Sequence, residues 1–221
     1  MKRRVVKTAD GSTTIHLEGW NENYHSSHGA IQEAYHVFID KGLDCFQEKK
    51  KLSILEIGFG TGLNAFITFL EAKKSGQELA YTGVEAYPVS NEEIALLNYV
   101  EELNAQDNIE IFKEMHISEW GQPIALSPFF QLEKRKQFFS EIDDVEKFDL
   151  IYFDAFGARV QPELWTEAIF QRMYNAMKSG GILVTYAAKG SVRRAMQEVG
   201  FMVEKLPGPP GKREMLRASR D

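Results

Sequence analysis

The chain has 221 residues, of which 43% are hydrophobic and 26% charged, and a formal net charge of −6 at neutral pH. That length supports one domain with a full core and a small appendage, and the composition is that of a soluble globular protein. A single cysteine, Cys45, excludes an intramolecular disulfide and points to a reducing compartment. The basic start, MKRRVVKTADGST, reaches no apolar signal region, and residues 57–70, uncharged but glycine-rich, are too few to span a bilayer. A cytoplasmic protein with no membrane partner is expected. The negative balance argues against a nucleic-acid partner, but basic residues cluster at 2–4, 49–51, 134–136, 193–194 and 212–213, so composition alone does not decide.

In chain order, RVVKT and STTIHL flank a turn at Ala9, Asp10 and Gly11 and predict a hairpin, followed by a helix over 29–46. From there strand and helix signals alternate. LSILEI (52–57) has the pattern of a buried strand, and Leu63, Phe66, Ile67 and Leu70 recur on one face of a helix. ELAYTGVEA predicts the next strand, residues 90–103 a helix, NIEIF (108–112) a third strand and FDLIYFDAF a fourth. Trp165, Ile169, Met173 and Met177 stripe a helix that stops at Ser179, Gly180 and Gly181. ILVTYAA predicts a fifth strand, and Val192, Ala195, Met196 and Val199 again have helical spacing. FMVEKL and REMLRA close the chain as a strand pair around PGPPGK.

Repeated β-α units predict a parallel sheet with helices on both faces and an antiparallel pair at one edge. That is the pattern of the class I S-adenosylmethionine-dependent methyltransferases: an α/β, Rossmann-like, mostly parallel seven-stranded sheet with a terminal antiparallel hairpin. Residues 1–46 are expected to form a hairpin-and-helix extension packed on a methyltransferase unit over 47–221.

LEIGFGTGLN (55–64) carries the most chemistry. Its glycines fall at 58, 60 and 62, a G-x-G-x-G spacing rather than the G-x-G-x-x-G of nicotinamide sites, and the lysine of a triphosphate loop is missing. Gly58, Gly60 and Gly62 let backbone amides approach the methionine part of a cofactor. Glu85, ending the second strand, is placed to accept both ribose hydroxyls, and Glu56 precedes the loop as a further acid. These groups sit at the carboxyl ends of adjacent strands, where open α/β sheets bind ligands. The expected cofactor is S-adenosylmethionine.

Asp154 ends the fourth strand, beside the expected position of the cofactor methyl. Methyl transfer is an in-line displacement that needs an aligned nucleophile with a free lone pair. A carboxylate attracts an ammonium and raises its pKa, yet it also accepts the proton and orients the lone pair. Asp154 is read as the catalytic group in that second sense. Tyr152, Phe156, Trp165 and Tyr186 are candidates to face a planar base or the sulfonium, although aromatics at such positions also serve simply as core.

LEIGFGTGLN, VEAYPVS, YFDAFGARVQPELWTEAIF, GGILVTYAAKGSVRRAMQEVGF and GPPGKREMLRA together resemble the methyltransferase part of the bacterial tRNA 5-methylaminomethyl-2-thiouridine biosynthesis (MnmC) family, over nearly the whole chain. Tyr24, Ser26, Glu33, Val37 and Phe38 fit the same family. AKGSVRRAMQEVGF and GPPGKREML are its most specific parts, which generic methyltransferases do not share. The resemblance implies a substrate, the aminomethyl group of a modified wobble uridine in the anticodon loop of tRNA, and a methylamino product. By the family's motifs, Gly58, Phe59, Gly60, Gly62, Asn64 and Glu85 would hold the cofactor, with Glu56 alongside and Asp154 beside the reactive amine. Tyr24, Phe156, Lys189, Arg193, Arg194, Lys212 and Arg213 would lie near the tRNA or the pocket rim.

Bifunctional members of that family add a flavin-dependent oxidase, for which 221 residues leave no room. The resemblance therefore implies a methyltransferase without FAD or metal, supplied by a separate oxidase or aminomethyl-generating enzyme. Many methyltransferases place an acid beside the adenine after the third strand; in FKEMHISEW, His116 takes that place, or Glu114 with a shifted register. A wobble base lies in a single-stranded loop, so a pocket takes the splayed base while Lys and Arg hold flanking phosphates. PFFQLEKRKQFF (128–139), inside an insertion over 121–147, is read as a local hairpin packed on the domain rather than a tRNA-facing one. The residues also leave open a methyl or aminopropyl transferase acting on another amine or RNA base, and a non-catalytic tRNA-binding module.

Overall fold

Alternation and turn chemistry place the first hairpin where it was predicted. In the computed structural model, which describes residues 2–221, β1 (Arg3–Lys7), β2 (Thr13–Leu17) and β3 (Glu22–Asn23) form an antiparallel sheet of their own. Asp10 closes the turn by accepting from the Thr8 hydroxyl at 2.7 Å and the Ser12 amide at 3.1 Å. The predicted helix over 29–46 is present but interrupted. It begins as α1 (Ala30–Ala34), widens to a π-turn over Tyr35–Asp40, and ends in a 3₁₀ turn over Leu43–Phe46.

The second sheet is built from β4 (Lys51–Ile57), β5 (Glu78–Val84), β6 (Ile124–Ser127), β7 (Phe130–Arg135), β8 (Phe148–Phe153), β9 (Met177–Thr185), β10 (Met202–Pro207) and β11 (Glu214–Ser219). Its strand order is β10-β11-β9-β8-β4-β5-β7-β6. Strands β7, β5, β4, β8 and β9 run parallel, and β11 lies antiparallel to both β9 and β10. This is the expected architecture, with β6 as an eighth strand at the far edge. The helices are α2 (Leu63–Ser75), α3 (Asn91–Ile94), α4 (Tyr99–Glu102), α5 (Ile109–Ile117), α6 (Glu167–Ala176) and α7 (Gly190–Glu198). Among the described residues no helix is long and apolar enough to cross a membrane.

Strand β4 explains why the sheet is central. Leu52 and Ile54 face the layer that contains α2, whereas Leu55 and Ile57 face the layer that contains α6. All four are fully or nearly fully buried. Each such side chain contributes about 1.5–3 kcal/mol relative to exposure, so a strand covered on both faces needs a continuous apolar run rather than alternation.

Several local expectations give way. NIEIF is not the third strand: residues 109–117 are helical, because Phe112 and Met115, three apart, supply the buried face. The third parallel strand is β7, inside what looked like an insertion, where Phe130, Leu132 and Lys134 alternate inward. Lys134 disguised it. The chain buries this lysine by donating its ammonium to the His116 carbonyl at 2.6 Å and seating it 4.8 Å from the Trp120 ring centre. A hairpin is present, but it pairs β6 with β7 rather than lying within 128–139: Phe130 is buried and Phe129 stacked on Phe69, whereas Phe138 is exposed. The predicted helix over 90–103 forms only as α3 and α4, the first started by a Ser90–Glu93 capping box. Ser179, Gly180 and Gly181 lie within β9, at its register shift against β8, and α6 has already ended at Ala176.

Candidate active site

The parallel strands β4, β5, β7 and β8 deliver their carboxyl ends to one cavity of about 830 Å³. The glycine loop forms its floor. The amides of Gly58 and Phe59 both donate to the Val84 carbonyl at 3.0 Å, which fixes the loop against the end of β5. Gly58 has φ +91°, and a Cβ there would stand 2.7 Å from the Asp154 carbonyl oxygen. Gly62, at φ +72°, starts α2 with its back to His116. A side chain is excluded at Gly58 by contact with backbone, and at Gly62 it is disfavoured by the backbone conformation.

Gly58, Phe59, Gly60, Asn64, Glu85 and Asp154 all line this cavity. Glu85 accepts the Gly60 amide through one carboxylate oxygen (3.1 Å) and the Tyr87 amide through the other (2.9 Å). Each oxygen retains a lone pair for a ligand hydroxyl. Asn64 lies below and links two acids: its amide nitrogen donates to Glu56 at 3.0 Å and to Asp154 at 2.9 Å. Burial pushes the Glu56 carboxyl well above its ordinary range, and the Asp154 charge adds to the push. Glu56 Oε2 and Asn64 Oδ1 are buried with no hydrogen-bond partner among the described residues. Glu56 therefore supports the cavity floor through Asn64 and forms no part of its wall.

Asp154 follows β8 and opens on the cavity. Burial raises its carboxyl to about 7; the Glu33 charge adds to the rise, while the Asn64 hydrogen bond and the Lys212 charge oppose it. A group of that proton affinity exchanges a proton near neutral pH.

His116, expected beside an adenine, stands elsewhere. It is on α5, with its ring packed under Gly62 and 4.7 Å from the Phe112 ring centre. Burial, with the Lys134 charge next, lowers its pKa to about 3, so the imidazole is neutral packing behind the loop. Glu114 is exposed on the same helix. The residues that follow the true third strand and line the cavity are Phe138, Phe139 and Ser140. This strand lies about twenty residues after NIEIF, and its signal in the sequence is the alternation of Phe130 and Leu132.

The N-terminal sheet and its following segment cover the other side. Arg3, Leu17, Trp20, Tyr24 and His25 all face the cavity, and among them only Tyr24 was expected. A second cavity of about 410 Å³ adjoins the first and shares Tyr24, His25 and Phe156 with it. Phe156 packs edge-on against both Trp20 and Tyr24. Trp165 is buried and donates its indole N–H to the Phe156 carbonyl at 2.7 Å, so it supports the loop after Asp154, and Tyr152 is core. Lys212 and Tyr186 line the second cavity. Lys189, Arg194 and Arg213 are exposed, Arg193 is half-buried, and none of the four lines either cavity. Arg193 and Arg213 both act on Glu214 electrostatically, so they lie near one another at the start of β11.

Residues 130–221 match the family described as S-adenosyl-L-methionine-dependent methyltransferase. The tRNA 5-methylaminomethyl-2-thiouridine biosynthesis bifunctional protein MnmC of Leptospira interrogans is 33% identical over 220 residues, covering 91% of this chain and 33% of that protein. The MnmC protein of Leptospira borgpetersenii is 31% identical over 214 residues, covering 89% of this chain and 32% of its own length. The chain thus spans about a third of the curated relatives it matches. Among solved structures, MnmC2 from Aquifex aeolicus superposes with a TM-score of 0.75 at 22% identity, covering 99% of this chain and 70% of that one. Spermidine synthase from Thermotoga maritima gives 0.58 at 14% identity, covering 98% and 67%, which speaks to the fold alone. The chain is thus similar to about a third of the length of the MnmC proteins, and its residues 130–221 match the family described as S-adenosyl-L-methionine-dependent methyltransferase.

Proposed function

We propose that this protein methylates the primary amine of a 5-aminomethyl-(2-thio)uridine at the wobble position of tRNA, using S-adenosylmethionine. The substrate class comes from the names of the curated relatives. The chemistry rests on one observation above all: a carboxyl raised to about 7, Asp154, is anchored by Asn64 at the edge of a glycine-loop cavity.

The chain's residues fit the cofactor. The loop at Gly58 and Gly60 presents backbone where a Cβ would intrude, and the Glu85 carboxylate faces the same space with lone pairs to spare. Gly58, Phe59, Gly60, Asn64 and Glu85 would hold it, with Phe138 and Phe139 offering aromatic faces to the base. When bound, S-adenosylmethionine supplies a methyl group on a sulfonium sulfur, the electrophile for a neutral amine. His116 and Gly62 serve this site from behind, by shaping the loop.

An alkyl ammonium must lose a proton before its lone pair is available. Asp154 takes that proton as a carboxylate and becomes a carboxylic acid, leaving the amine neutral and hydrogen-bonded in place. Raising the acceptor by about three pKa units removes roughly 4 kcal/mol from an uphill proton transfer. The methylated amine leaves with a net release of one proton to solvent. Lys189, Arg193, Arg194 and Arg213, outside the cavities, would hold the flanking phosphates of a single-stranded loop. A separate activity would generate the aminomethyl group.

The test is to incubate the protein and S-adenosylmethionine with tRNA from cells unable to complete this methylation, then analyse the nucleosides by mass spectrometry. Conversion of the aminomethyl nucleoside to its methylamino form is expected. Absence of conversion, with cofactor binding intact by calorimetry, would move the acceptor to another amine.

A further inference from the structure

Lys212 does not behave as a surface phosphate contact. It follows the Pro209–Gly211 turn between β10 and β11, yet its ammonium points inward and pairs with the Glu33 carboxylate. Glu33 is a buried acid on α1, at 7% exposure, and its other oxygen accepts the Ser26 amide at 2.8 Å. The same ammonium stands 3.8 Å from the ring centre of Tyr186, within range of a cation–π contact. Glu33, Tyr186 and Lys212 all line the second cavity, which joins the first across Tyr24, His25 and Phe156. The hydroxyl of Tyr186 donates to the carbonyl of Ala155 at 2.8 Å, so this cluster abuts the residue that follows Asp154.

Of the two acids that line the second cavity, Glu22 is paired with Arg159 at 2.6 Å and Glu33 with Lys212, and the neighbouring His25 is held neutral by its burial, with a pKa of about 4. A site with a buried acid and an aromatic face is suited to a cation. Its present cation is a flexible side chain from a turn, one-third exposed, that can withdraw into solvent or toward a phosphate.

We propose that Glu33 and the face of Tyr186 form a seat for the substrate's primary ammonium, and that Lys212 occupies this seat until the modified base displaces it. This rests on the function proposed above and deepens it: the second cavity takes an ammonium-bearing pyrimidine and rejects a neutral one. Glu33 is then a specificity-determining residue, and Lys212 an internal competitor that selects against bases without a positive charge.

The test compares two anticodon stem-loop RNAs, one with 5-aminomethyluridine and one with 5-hydroxymethyluridine at the wobble position. Affinities of the full chain are measured with S-adenosylhomocysteine present, so that no turnover occurs. The wild type should prefer the aminomethyl loop. Glu33→Gln should reduce that preference about tenfold or more, as expected for loss of a charge-assisted contact. Lys212→Met should increase it, and Tyr186→Phe should preserve it whereas Tyr186→Leu reduces it. Those tyrosine variants carry the test if Glu33→Gln does not fold. Equal binding of the two loops by the wild type, binding of neither, or a preference unmoved by Glu33→Gln and Tyr186→Leu overturns the seat. Methylation of the aminomethyl loop by the wild type with S-adenosylmethionine is scored separately. If it is absent, the proposed reaction fails; if it is present while the preference is unmoved, only the seat fails.

Discussion

Asp154→Asn separates what the site does from what it costs the fold. Burial and the Glu33 charge lift this carboxyl from 3.8 to about 7, against the opposing Asn64 hydrogen bond and Lys212 charge. Between those two values the native protein holds a proton that the unfolded chain has released. Native stability therefore falls as pH rises across this window and is level above it. A shift of about three units corresponds to about 4 kcal/mol at most, and opening onto the cavity reduces the expected effect to about 2–4 kcal/mol. An asparagine in its place still accepts the 2.9 Å hydrogen bond from Asn64 and has no charge to bury. The variant should be inactive, yet more stable than the wild type by about 2–4 kcal/mol above pH 7. Below about pH 4 the two proteins should be equally stable. Urea unfolding of both proteins across pH 4–8, followed by fluorescence, measures the difference directly. No gain at pH 8, or a gain that does not change with pH, would refute the account of a strained, half-ionised carboxyl.

If Asp154 is the proton acceptor, kcat/KM for the aminomethyl substrate should rise with pH through about 7, because only the ionised carboxyl accepts a proton; a flat profile from pH 6 to 8 would remove it from that role. Glu85→Gln should weaken S-adenosylmethionine binding by about tenfold to a hundredfold in calorimetry, since it loses charge-assisted acceptance at the cavity wall. Gly58→Ala should lower stability by about 1–3 kcal/mol and abolish cofactor binding, because φ +91° and the 2.7 Å approach to the Asp154 carbonyl leave no room for a Cβ; thermal melting and calorimetry decide. Replacing Arg193 and Arg194 by alanine should weaken tRNA binding and flatten its dependence on salt, whereas unchanged binding across salt would show that these arginines do not contact phosphates.

The elements that the sequence determined by itself are those whose pattern is local. The apolar run of β4, the three glycines, the helical face of Leu63, Phe66, Ile67 and Leu70, and the acid ending β8 all carry their structural reason within a few residues. Spacing and turn chemistry are sufficient there, so the architecture and the cavity floor at Gly58, Gly60, Glu85 and Asp154 were legible. The third strand was not. Lys134 breaks its apolar alternation, and only the packed structure supplies the His116 carbonyl and the Trp120 ring that make a buried lysine tolerable. That displacement also misplaced His116 and hid Phe138 and Phe139. The roles of Arg3, Trp20 and His25 in the cavity wall, and the inward turn of Lys212 onto Glu33, were likewise decided only by tertiary structure. Glu33 and Lys212 lie 179 positions apart, and no periodicity in the chain relates them. Their pairing comes from packing α1 against the turn at the sheet edge, where burial gives a charge its partner and the Asp154 carboxyl its proton affinity.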